Sequence, residues 1–461
     1  MHMEEKMKKK KTKKQAGMML ALSLVLLMQG CERKQQNTHT IIYENGEKQT
    51  LKDATQEVVK GRYMEKEVTL PADFKADRMQ LLPDKRLVLL DIEQNGKLAF
   101  SDDNGANWKV EQNYLWKELK VGGREVLTMA VSPEGDIFIS YMDWNTRQNK
   151  NKSGAGLVCT DKEGKRSHPQ ITFEERDEYV EKALYTQTGV LFVQTNEDRI
   201  YEVDLKEESA RCRIELSRSE KSGFYAYDDS IVATNEKSVF FYQAQNGRIG
   251  VPDKVLNEFY REEGGLVLCG GADRKLYAAC RDGIYSHTYG GNLLEQIADG
   301  TLNNLGNPSK VPVDIAVTEE GKILILYEDG ELDSYVYDAD VEAMPDRQLT
   351  IYSFYDNDRI RKHIREFYTE HPDVYVKLES SVAEEAVRED VLKNLKLELA
   401  AGGGPDLVLL DAVSVRALEK EGLLEAEKCY FSGGLLAVNA SSKEKVLAKS
   451  FLETTLDETE D

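Results

Sequence analysis

The sequence predicts two successive folds, an all-β propeller of six or seven blades over residues 39–345 and a small α/β unit over residues 346–461. In the first region, apolar runs recur roughly every 40–50 residues, which is the period of propeller blades. In the second region, three apolar runs of strand length alternate with two amphipathic runs of helix length. Such alternation is typical of parallel strands joined by crossover helices.

The repeat of the first region is a polar turn, an apolar run and then a second short strand. The six apolar runs with their turns are residues 84–90, 134–139, 188–193, 229–233, 274–279 and 321–326. Short strands at regular spacing indicate an all-β fold, and closing them into a ring removes exposed edges. Thr40–Tyr43 and Glu67–Leu70 are candidates for a seventh blade. A stack of β-sandwiches is the alternative arrangement.

One motif in this region has a structural explanation. Ser101, Asp103, Gly105 and Trp108 follow the spacing S-x-D-x-G-x-x-W, which resembles the Asp-box of sialidase-like propellers. The aspartate accepts hydrogen bonds from turn amides, and the glycine permits a positive φ. We therefore interpret the motif as a hairpin turn. In the family that carries it, the box lies away from the catalytic face.

The α/β unit has a predicted ligand crevice. Its predicted elements are strands Gln348–Phe354, Val374–Glu379 and Leu407–Leu410, and helices Asn357–His371 and Val382–Ala401. In open parallel sheets, ligands bind beyond the carboxyl ends of the strands. The loops after the first and third strands then carry the candidate ligand-binding residues Tyr355, Asp356, Asn357 and Asp411. An aromatic ring stacks on sugar rings, while carboxylate and amide groups bond hydroxyls.

Several phrases of this unit resemble a known family. They are F-x-x-x-x-P at Phe367 and Pro372, A-x-G-x-G-P-D at residues 400–406, and K-x-G-L-L at residues 420–424. In this order they resemble the start of the extracellular solute-binding proteins that supply ABC importers, in particular the sugar-binding group related to maltose-binding protein. The resemblance implies a periplasmic-binding-protein-like lobe, a sugar as the small-molecule solute and an ABC permease as partner.

The family has two lobes that close on the ligand, and the sequence after Leu349 is too short for both. We therefore expect one shortened lobe, completed by a strand at Leu435–Val438 and a helix at Ser441–Leu456. Ser441 and Glu444 have the spacing of a capping box for that helix. Because a single lobe covers little of a small ligand, the propeller is the candidate for the opposing wall.

The start of the sequence predicts where the protein acts. Residues 1–14 contain seven lysines, and the apolar run at residues 16–29 is shorter than the roughly 20 residues of a transmembrane helix. The run ends in Leu-Met-Gln-Gly-Cys31, which resembles the lipobox of bacterial lipoproteins, with methionine where leucine is usual. The resemblance implies a signal peptide (1–30), lipidation at Cys31, a tether (31–38) and a lipid-anchored location on the extracytoplasmic face of the bacterial cell membrane. An ordinary secretory signal is the alternative.

Composition excludes several function classes. The formal net charge is −21, and removal of residues 1–30 would leave −26, which disfavours nucleic acid and other polyanions as partners. Five cysteines after Cys31 do not suggest a disulfide framework. Cys269 and Cys280 have a spacing that permits a disulfide, but buried thiols are the favoured interpretation. Six scattered histidines and the absence of a C-x-x-C motif give no metal or cofactor prediction.

The predicted function is noncatalytic, because no convergent catalytic set is recognisable. Adjacent acids such as Glu174 and Glu175 are explained as solvated surface in so acidic a chain. We predict a lipid-anchored extracytoplasmic protein that binds a carbohydrate and is associated with an ABC importer. The alternative is a noncatalytic surface scaffold whose propeller binds a protein or glycan partner, with a vestigial α/β lobe.

Overall fold

The computed structural model of the protein describes residues 38–43, 48–52, 59–147, 154–216, 223–235, 238–243, 247–263, 266–380 and 385–457. The predicted signal peptide, nearly all of the predicted tether and Cys31 lie outside these residues. Within the described part of the chain, no helix is long and apolar enough to cross a membrane.

Antiparallel sheets of four strands form a propeller of six blades. Three strands precede the first blade: β1 (Thr38–Tyr43), β2 (Lys48–Lys52) and β3 (Lys60–Glu67). Blade 1 contains β4 (Arg78–Leu81), β5 (Leu87–Asp91), β6 (Lys97–Ser101) and β7 (Lys109–Gln112). Blade 2 contains β8 (Glu125–Val131), β9 (Ile137–Met142), β10 (Ala155–Thr160) and β11 (Arg166–Ser167). Blade 3 contains β12 (Val180–Tyr185), β13 (Leu191–Thr195), β14 (Arg199–Asp204) and β15 (Ser209–Glu215).

The remaining blades follow in chain order, each starting at its innermost strand. Blade 4 contains β16 (Gly223–Tyr227), β17 (Ser230–Thr234), β18 (Val239–Gln243) and β19 (Arg248–Ile249). Blade 5 contains β20 (Val267–Gly270), β21 (Leu276–Cys280), β22 (Gly283–His287) and β23 (Leu293–Asp299). Blade 6 contains β24 (Pro312–Val317), β25 (Ile323–Tyr327) and β26 (Leu332–Glu342), and its outermost strand is β3.

The ring closes through the N-terminal strand β3. This strand pairs antiparallel with β26, with Glu65 opposite Tyr335. Strand β1 pairs with β23, so β1 and β2 extend blade 5 outwards. The propeller therefore has six blades. The expectation of a seventh blade from Thr40–Tyr43 and Glu67–Leu70 is wrong, because these residues complete blades 5 and 6.

The polar turn of the sequence repeat joins the first and second strands of a blade. In five blades this turn has five residues, and its fourth residue has positive φ and donates its N–H to the carbonyl oxygen of the first. These fourth residues are Lys85, Gly135, Gly189, Arg274 and Gly321. Blade 4 has a two-residue turn instead, at Asp228 and Asp229. The six apolar runs are therefore the second strands of the six blades, which confirms the predicted repeat.

Apolar side chains form six cores, one between each pair of neighbouring blades. Blade 6 packs on blade 1 through Leu324 and Leu87, both at most 1% exposed, and this contact closes the ring. Each Å² of apolar surface that this packing removes from water contributes about 25 cal/mol of favourable free energy. The ring is thus held together by side-chain packing between blades, while hydrogen bonds hold the strands within each blade.

Three α-helices lie within the described part of the propeller: α1 (Tyr114–Val121), α2 (Trp144–Arg147) and α3 (Lys254–Glu263). Helices α1 and α2 were not predicted. Asn113 caps α1, and the buried indole of Trp116 donates a hydrogen bond to the carbonyl oxygen of Ile92 at 2.7 Å. All five cysteines after Cys31 lie in described residues, and none of them is in a disulfide.

The chain after β26 forms a mixed five-stranded sheet with helices on both faces. Its strands are β27 (Arg347–Ser353), β28 (Val374–Ser380), β29 (Leu407–Leu410), β30 (Leu424–Phe431) and β31 (Gly434–Asn439). Its helices are α4 (Asp358–Glu370), α5 (Glu385–Ala400), α6 (Ala412–Lys420) and α7 (Lys445–Asp457). The strand order is β28-β27-β29-β31-β30, and the first three strands are parallel.

This C-terminal sheet contains the predicted parallel strand–helix alternation. Helices α4 and α7 cover one face, where Phe367 and Phe451 are buried, and α5 and α6 cover the other. Helix α6 and strand β30 were not predicted. The predicted capping box of Ser441 and Glu444 is wrong, because α7 begins only at Lys445 and the hydroxyl of Ser442 accepts the N–H of Glu444. The domain limits stay a prediction.

Candidate ligand site at one end of the propeller

Two of the predicted crevice residues cap helices. The side-chain oxygen of Asn357 accepts the N–H groups of the second and third residues of α4, at 3.1 and 3.3 Å. Asp411 accepts those of the second and third residues of α6, at 3.0 and 2.9 Å. Side chains of this type stabilise a helix start by satisfying its free N–H groups. Both groups therefore have a structural role.

The other two predicted residues lie beside the first cap. Asp356 forms a two-pronged ion pair with Arg361 at 2.7 and 2.8 Å, and this pair lowers the pKa of Asp356. Tyr355 is partly buried against both cores of the C-terminal sheet. Because β27 and β29 are adjacent parallel strands, their carboxyl ends meet at one edge, as predicted. A ligand-binding role for these four residues stays a prediction.

The same edge contacts the propeller. Arg361 also reaches Asp282, in the turn between β21 and β22, at 3.3 Å. One turn further along α4, Arg365 binds Glu65 of β3 at 2.7 Å and the side chain of Asn304 at 3.1 Å. A cavity of about 30 Å³ lies beside both arginines, which is room for about one water molecule. The C-terminal sheet is thus fixed to blades 5 and 6 by paired charges.

Glu65 is the most perturbed acid of this contact. Burial raises its pKa to about 7, although Arg365 opposes the shift. Asp333, which is 1% exposed, is its acidic neighbour, and its pKa is also raised, mainly by burial. Two carboxyl groups this close share a proton more readily than both ionise. The hydroxyl of Tyr335 donates to Glu65 at 3.0 Å, so the network is closed on itself and offers no group to a ligand.

These contacts identify the mouth end of the propeller, which we define as the end where the innermost strand of each blade begins. The turn at Asp282 and the connection from blade 5 to blade 6, Asp299–Asn304, both lie at this end because of the strand directions. Tyr375 of β28 donates to Asp299 at 3.0 Å. The C-terminal sheet therefore stands at the mouth end, on one side of the central channel.

The opposite side of the mouth end carries two aromatic rings, of which one is exposed and one is partly buried. Blades 2 and 3 lie three positions around the six-bladed ring from blades 5 and 6. There, Trp144 is 41% exposed and packs edge to face with Tyr179 at 6.4 Å between ring centroids. The guanidinium of Arg147 lies over both rings, at 5.4 and 4.6 Å. We name Trp144, Tyr179 and Arg147 the aromatic platform.

Local contacts hold the aromatic platform in place. Asp143 caps the short helix α2 by accepting the N–H of Thr146 at 2.9 Å, which lowers the pKa of Asp143. The indole N–H of Trp144 donates to a carboxylate oxygen of Glu125, at the start of β8. The rings are therefore oriented by blade 2, and the Trp144 side chain remains 41% exposed.

Between the two sides, four of the six innermost strands carry a polar residue at the same level. Arg78, Thr128, Lys182 and Asp314 each lie three residues before the last residue of their innermost strand, so they form one level of the ring. In blades 2, 3 and 6 a β-bulge directly precedes this level. Bulges redirect side chains and are frequent beside functional sites. The channel therefore has a polar level close to its mouth.

Arg78 and Asp314 form the central pair of this level. The Nε of Arg78 donates to Asp314 Oδ2 at 2.8 Å, and the N–H of Met79 donates to the same oxygen at 2.9 Å. The charge of Asp314 raises the pKa of Arg78. Burial lowers the pKa of Lys182, and the positive charge of Arg78 lowers it further. The two cations are therefore within electrostatic reach of each other.

The Asp-box lies at the other end, in the turn between β6 and β7. The Ser101 hydroxyl bonds Asp103 and accepts the N–H of Gly105, both at 2.8 Å, and Gly105 has a φ of 88°. Hydrogen bonds from the side chain and N–H of Asn107 lower the pKa of Asp103 to about 2. Trp108 packs against the core between blades 6 and 1. These contacts confirm the prediction of a structural turn.

Sequence reasoning missed the aromatic platform and the channel level. Trp144 and Tyr179 are 35 residues apart in the chain, as read from the sequence numbering, and nothing local relates them. Arg78 and Asp314 come from the first and last blades, so only ring closure brings them together. Among the described residues, no group of His, Cys, Asp or Glu is arranged to hold a metal ion.

Comparisons with known proteins give solved structures but no family. No family model matches the chain, and no curated protein matches it. Among solved structures, the chain is similar to streptogramin B lyase, with 9% identity over 67% of this chain and 89% of that chain and a TM-score of 0.36. It is also similar to the luciferin-regenerating enzyme, with 9% identity over 61% of this chain and 99% of that chain and a TM-score of 0.40. A third similar structure is the WD40 propeller domain of Doa1, with 9% identity over 60% of this chain and 97% of that chain and a TM-score of 0.36. Likeness at this level carries no argument about fold or function, and the six blades rest on the strand pairing described above.

Proposed function

We propose that the protein is a noncatalytic binding protein that captures a carbohydrate at the mouth end of its propeller. The observation that carries the proposal is the aromatic platform, in which Trp144 is 41% exposed, on the side of the mouth end opposite the C-terminal sheet. Fixed, accessible aromatic rings offer apolar area to the C–H faces of sugars at low conformational cost. The polar level of the channel supplies hydrogen-bonding groups that fix orientation, as binding sites with a few convergent polar groups do.

Anchoring and transport complete the proposal. Cys31, with its lipobox-like context, would hold the protein by a lipid on the extracytoplasmic face of the bacterial cell membrane. The family resemblance of the C-terminal sheet supports an ABC permease as the partner that receives the sugar. In this arrangement the propeller replaces the second lobe of a solute-binding protein as the opposing wall of the site.

The test is calorimetric titration of the full chain after Cys31 against a panel of neutral and acidic oligosaccharides. We expect saturable binding to a member of the panel and a loss of at least tenfold in affinity for Trp144→Ala. Tyr430→Ala is the matched control, because Tyr430 is also exposed, at 68%, but lies on the edge strand β30. Equal affinity for wild type and Trp144→Ala would contradict the proposal.

A second variant tests the crevice predicted from the sequence. If Tyr355→Ala combined with Asp411→Ala leaves binding intact, the ligand does not occupy that crevice. One observation favours the alternative function, a surface scaffold: Asn357, Asp411 and Asp356 use their polar groups for capping and ion pairing. A scaffold would bind no member of the panel, and its propeller would instead retain a protein or glycan partner.

A further inference from the structure

We propose that the mouth end selects an acidic saccharide and that Arg78 binds its carboxylate. This inference rests on the proposed carbohydrate function and adds the chemical class of the ligand. It predicts that a sugar acid binds more tightly than the same sugar in neutral form. The aromatic platform would hold a sugar ring, and the channel level would hold the acid group.

The first argument is the geometry of Arg78. Its only hydrogen bond to the described residues is the one from Nε to Asp314. The two terminal nitrogens therefore donate to no described group, and the side chain is 29% exposed. Arg78 begins an innermost strand, so the solvent it meets is that of the channel. A planar fork of two N–H donors matches a carboxylate in two-pronged geometry.

The second argument is the charge balance of the channel level. Arg78 and Lys182 are cationic, and Asp314 supplies one negative charge to the same group. Burial and mutual repulsion of the cations disfavour the charged form of Lys182. One ligand carboxylate beside Arg78 would offset that repulsion. Lys182 is also faced by Glu181 and Asp198, so together with Asp314 three acids surround the two cations. A ligand carboxylate would therefore gain only by direct contact with the Arg78 fork, and dense negative charge would be repelled.

The third argument is the distance along strand β12 between the aromatic platform and Lys182. Tyr179 of the aromatic platform is three residues before Lys182, and β12 begins between them at Val180. At a rise of about 3.3 Å per residue, the two positions lie about 10 Å apart or less, because a bulge at Glu181 shortens the path. One sugar ring does not cover that distance, whereas a short oligosaccharide does. The strongly acidic remainder of the chain repels long polyanions.

The experiment compares two matched probes by calorimetric titration of the full chain after Cys31: aldotriouronic acid, a trisaccharide with one carboxylate, and its methyl ester. We expect the acid to bind at least tenfold more tightly than the ester. Arg78→Lys keeps the charge and removes the fork, so it should bring the affinity for the acid down towards that of the ester. Arg86→Lys is the control in the same blade, because Arg86 lies in the turn at the far end.

The outcomes separate this inference from the proposed function. Equal binding of acid and ester, with both lost in Trp144→Ala, would overturn the acidic preference and leave the carbohydrate function standing. Unchanged affinity for the acid in Arg78→Lys would overturn the role of Arg78. Should Arg78→Lys fold poorly, Lys182→Met is the second variant, and we expect it to weaken binding of the acid at least threefold. Binding of neither probe nor any other sugar would remove the proposed function itself.

Discussion

The two sides of the mouth end use the same residue types for different purposes. On blades 5 and 6, Arg365, Glu65 and Tyr335 form a buried, fully paired network against the C-terminal sheet. On blades 2 and 3, Arg147 lies over the Trp144 ring, and Trp144 remains 41% exposed. The two sides of the mouth end therefore differ in how far their charged and aromatic side chains are covered, not in residue composition.

This difference bears on whether an acid with a shifted pKa, such as Glu65, has a catalytic or a structural role. Glu65 has the features often associated with a catalytic carboxyl group, namely burial and a pKa raised to about 7. Its oxygens nevertheless accept hydrogen bonds from Asn304, Tyr335 and Arg365. The perturbation follows from the packing of one part of the chain on another, so we interpret it as structural.

The largest loss of stability is expected on the side of the mouth end that contacts the C-terminal sheet. Arg365→Met should lower the free energy of unfolding by about 3 kcal/mol at pH 8, because the Glu65 carboxylate stays buried without its cation. At pH 5 the loss should be smaller, since Glu65 is then protonated. Lys362→Met, an exposed position on the same helix, should change stability by less than about 0.5 kcal/mol. Urea unfolding measures both, and equal effects would mean that the contact with the C-terminal sheet is not held by this pair.

A second buried ion pair, elsewhere in the propeller, tests whether breaking such a pair destabilises the fold. The side chains of His287 and Asp253 are each about 1% exposed, and His287 Nε2 lies 2.8 Å from Asp253 Oδ2. Burial opposes the charge, but hydrogen bonds to Asp253 and to the Leu293 carbonyl raise the pKa of His287. His287→Gln should cost about 3 kcal/mol at pH 6, whereas exposed His168→Gln should cost almost nothing.

The pH dependence of this pair has a definite sign. Because the folded pKa of His287 is raised, its contribution is fully present below an unfolded pKa of about 6.5 and is lost as pH rises through the folded value. The difference in stability between wild type and His287→Gln should therefore shrink between pH 6 and pH 9. A constant difference over that range would contradict the charged pair.

The overall fold could be read from the sequence because its signals are local and periodic. Each of the six apolar runs is the second strand of a blade, and the phrase Leu407–Leu410 has the same bounds in the structure. The blade number was left open because closure depends on β3, which pairs with β26 some 270 positions later in the sequence numbering. No periodicity within β3 records that pairing.

The candidate site was only half accessible to sequence reasoning. The rim residues Tyr355 and Asp411 were placed correctly at adjacent strand ends, because parallel topology fixes that edge. The use of Asn357 and Asp411 as caps was not foreseen, although each precedes a helix. Arg78 and Lys182 carry no local signal, since a single charge at a strand start is equally common on a solvated surface. Their meeting depends on ring closure and on bulges that alternation does not reveal.

Glu65→Gln sharpens the comparison through a pH profile. The folded state holds a proton that the unfolded chain releases near pH 4.5, so stability should fall as pH rises from about 4.5 to about 7. We expect this fall to amount to about 2 kcal/mol in wild type and to be largely absent in Glu65→Gln. Unfolding midpoints at several pH values measure it. An identical slope in the variant would place the proton on Asp333 instead.

The smallest change in stability is expected for a substitution in the aromatic platform on blades 2 and 3. Trp144→Ala should change the free energy of unfolding by less than about 1 kcal/mol, because its ring covers no core. Trp116→Ala, which removes a side chain only 8% exposed, should cost about 3–5 kcal/mol. If both substitutions destabilise alike, Trp144 is a packing residue and the two sides of the mouth end are not different in kind. If only Trp144→Ala spares stability while abolishing sugar binding, exposure at this end is a functional property of the propeller.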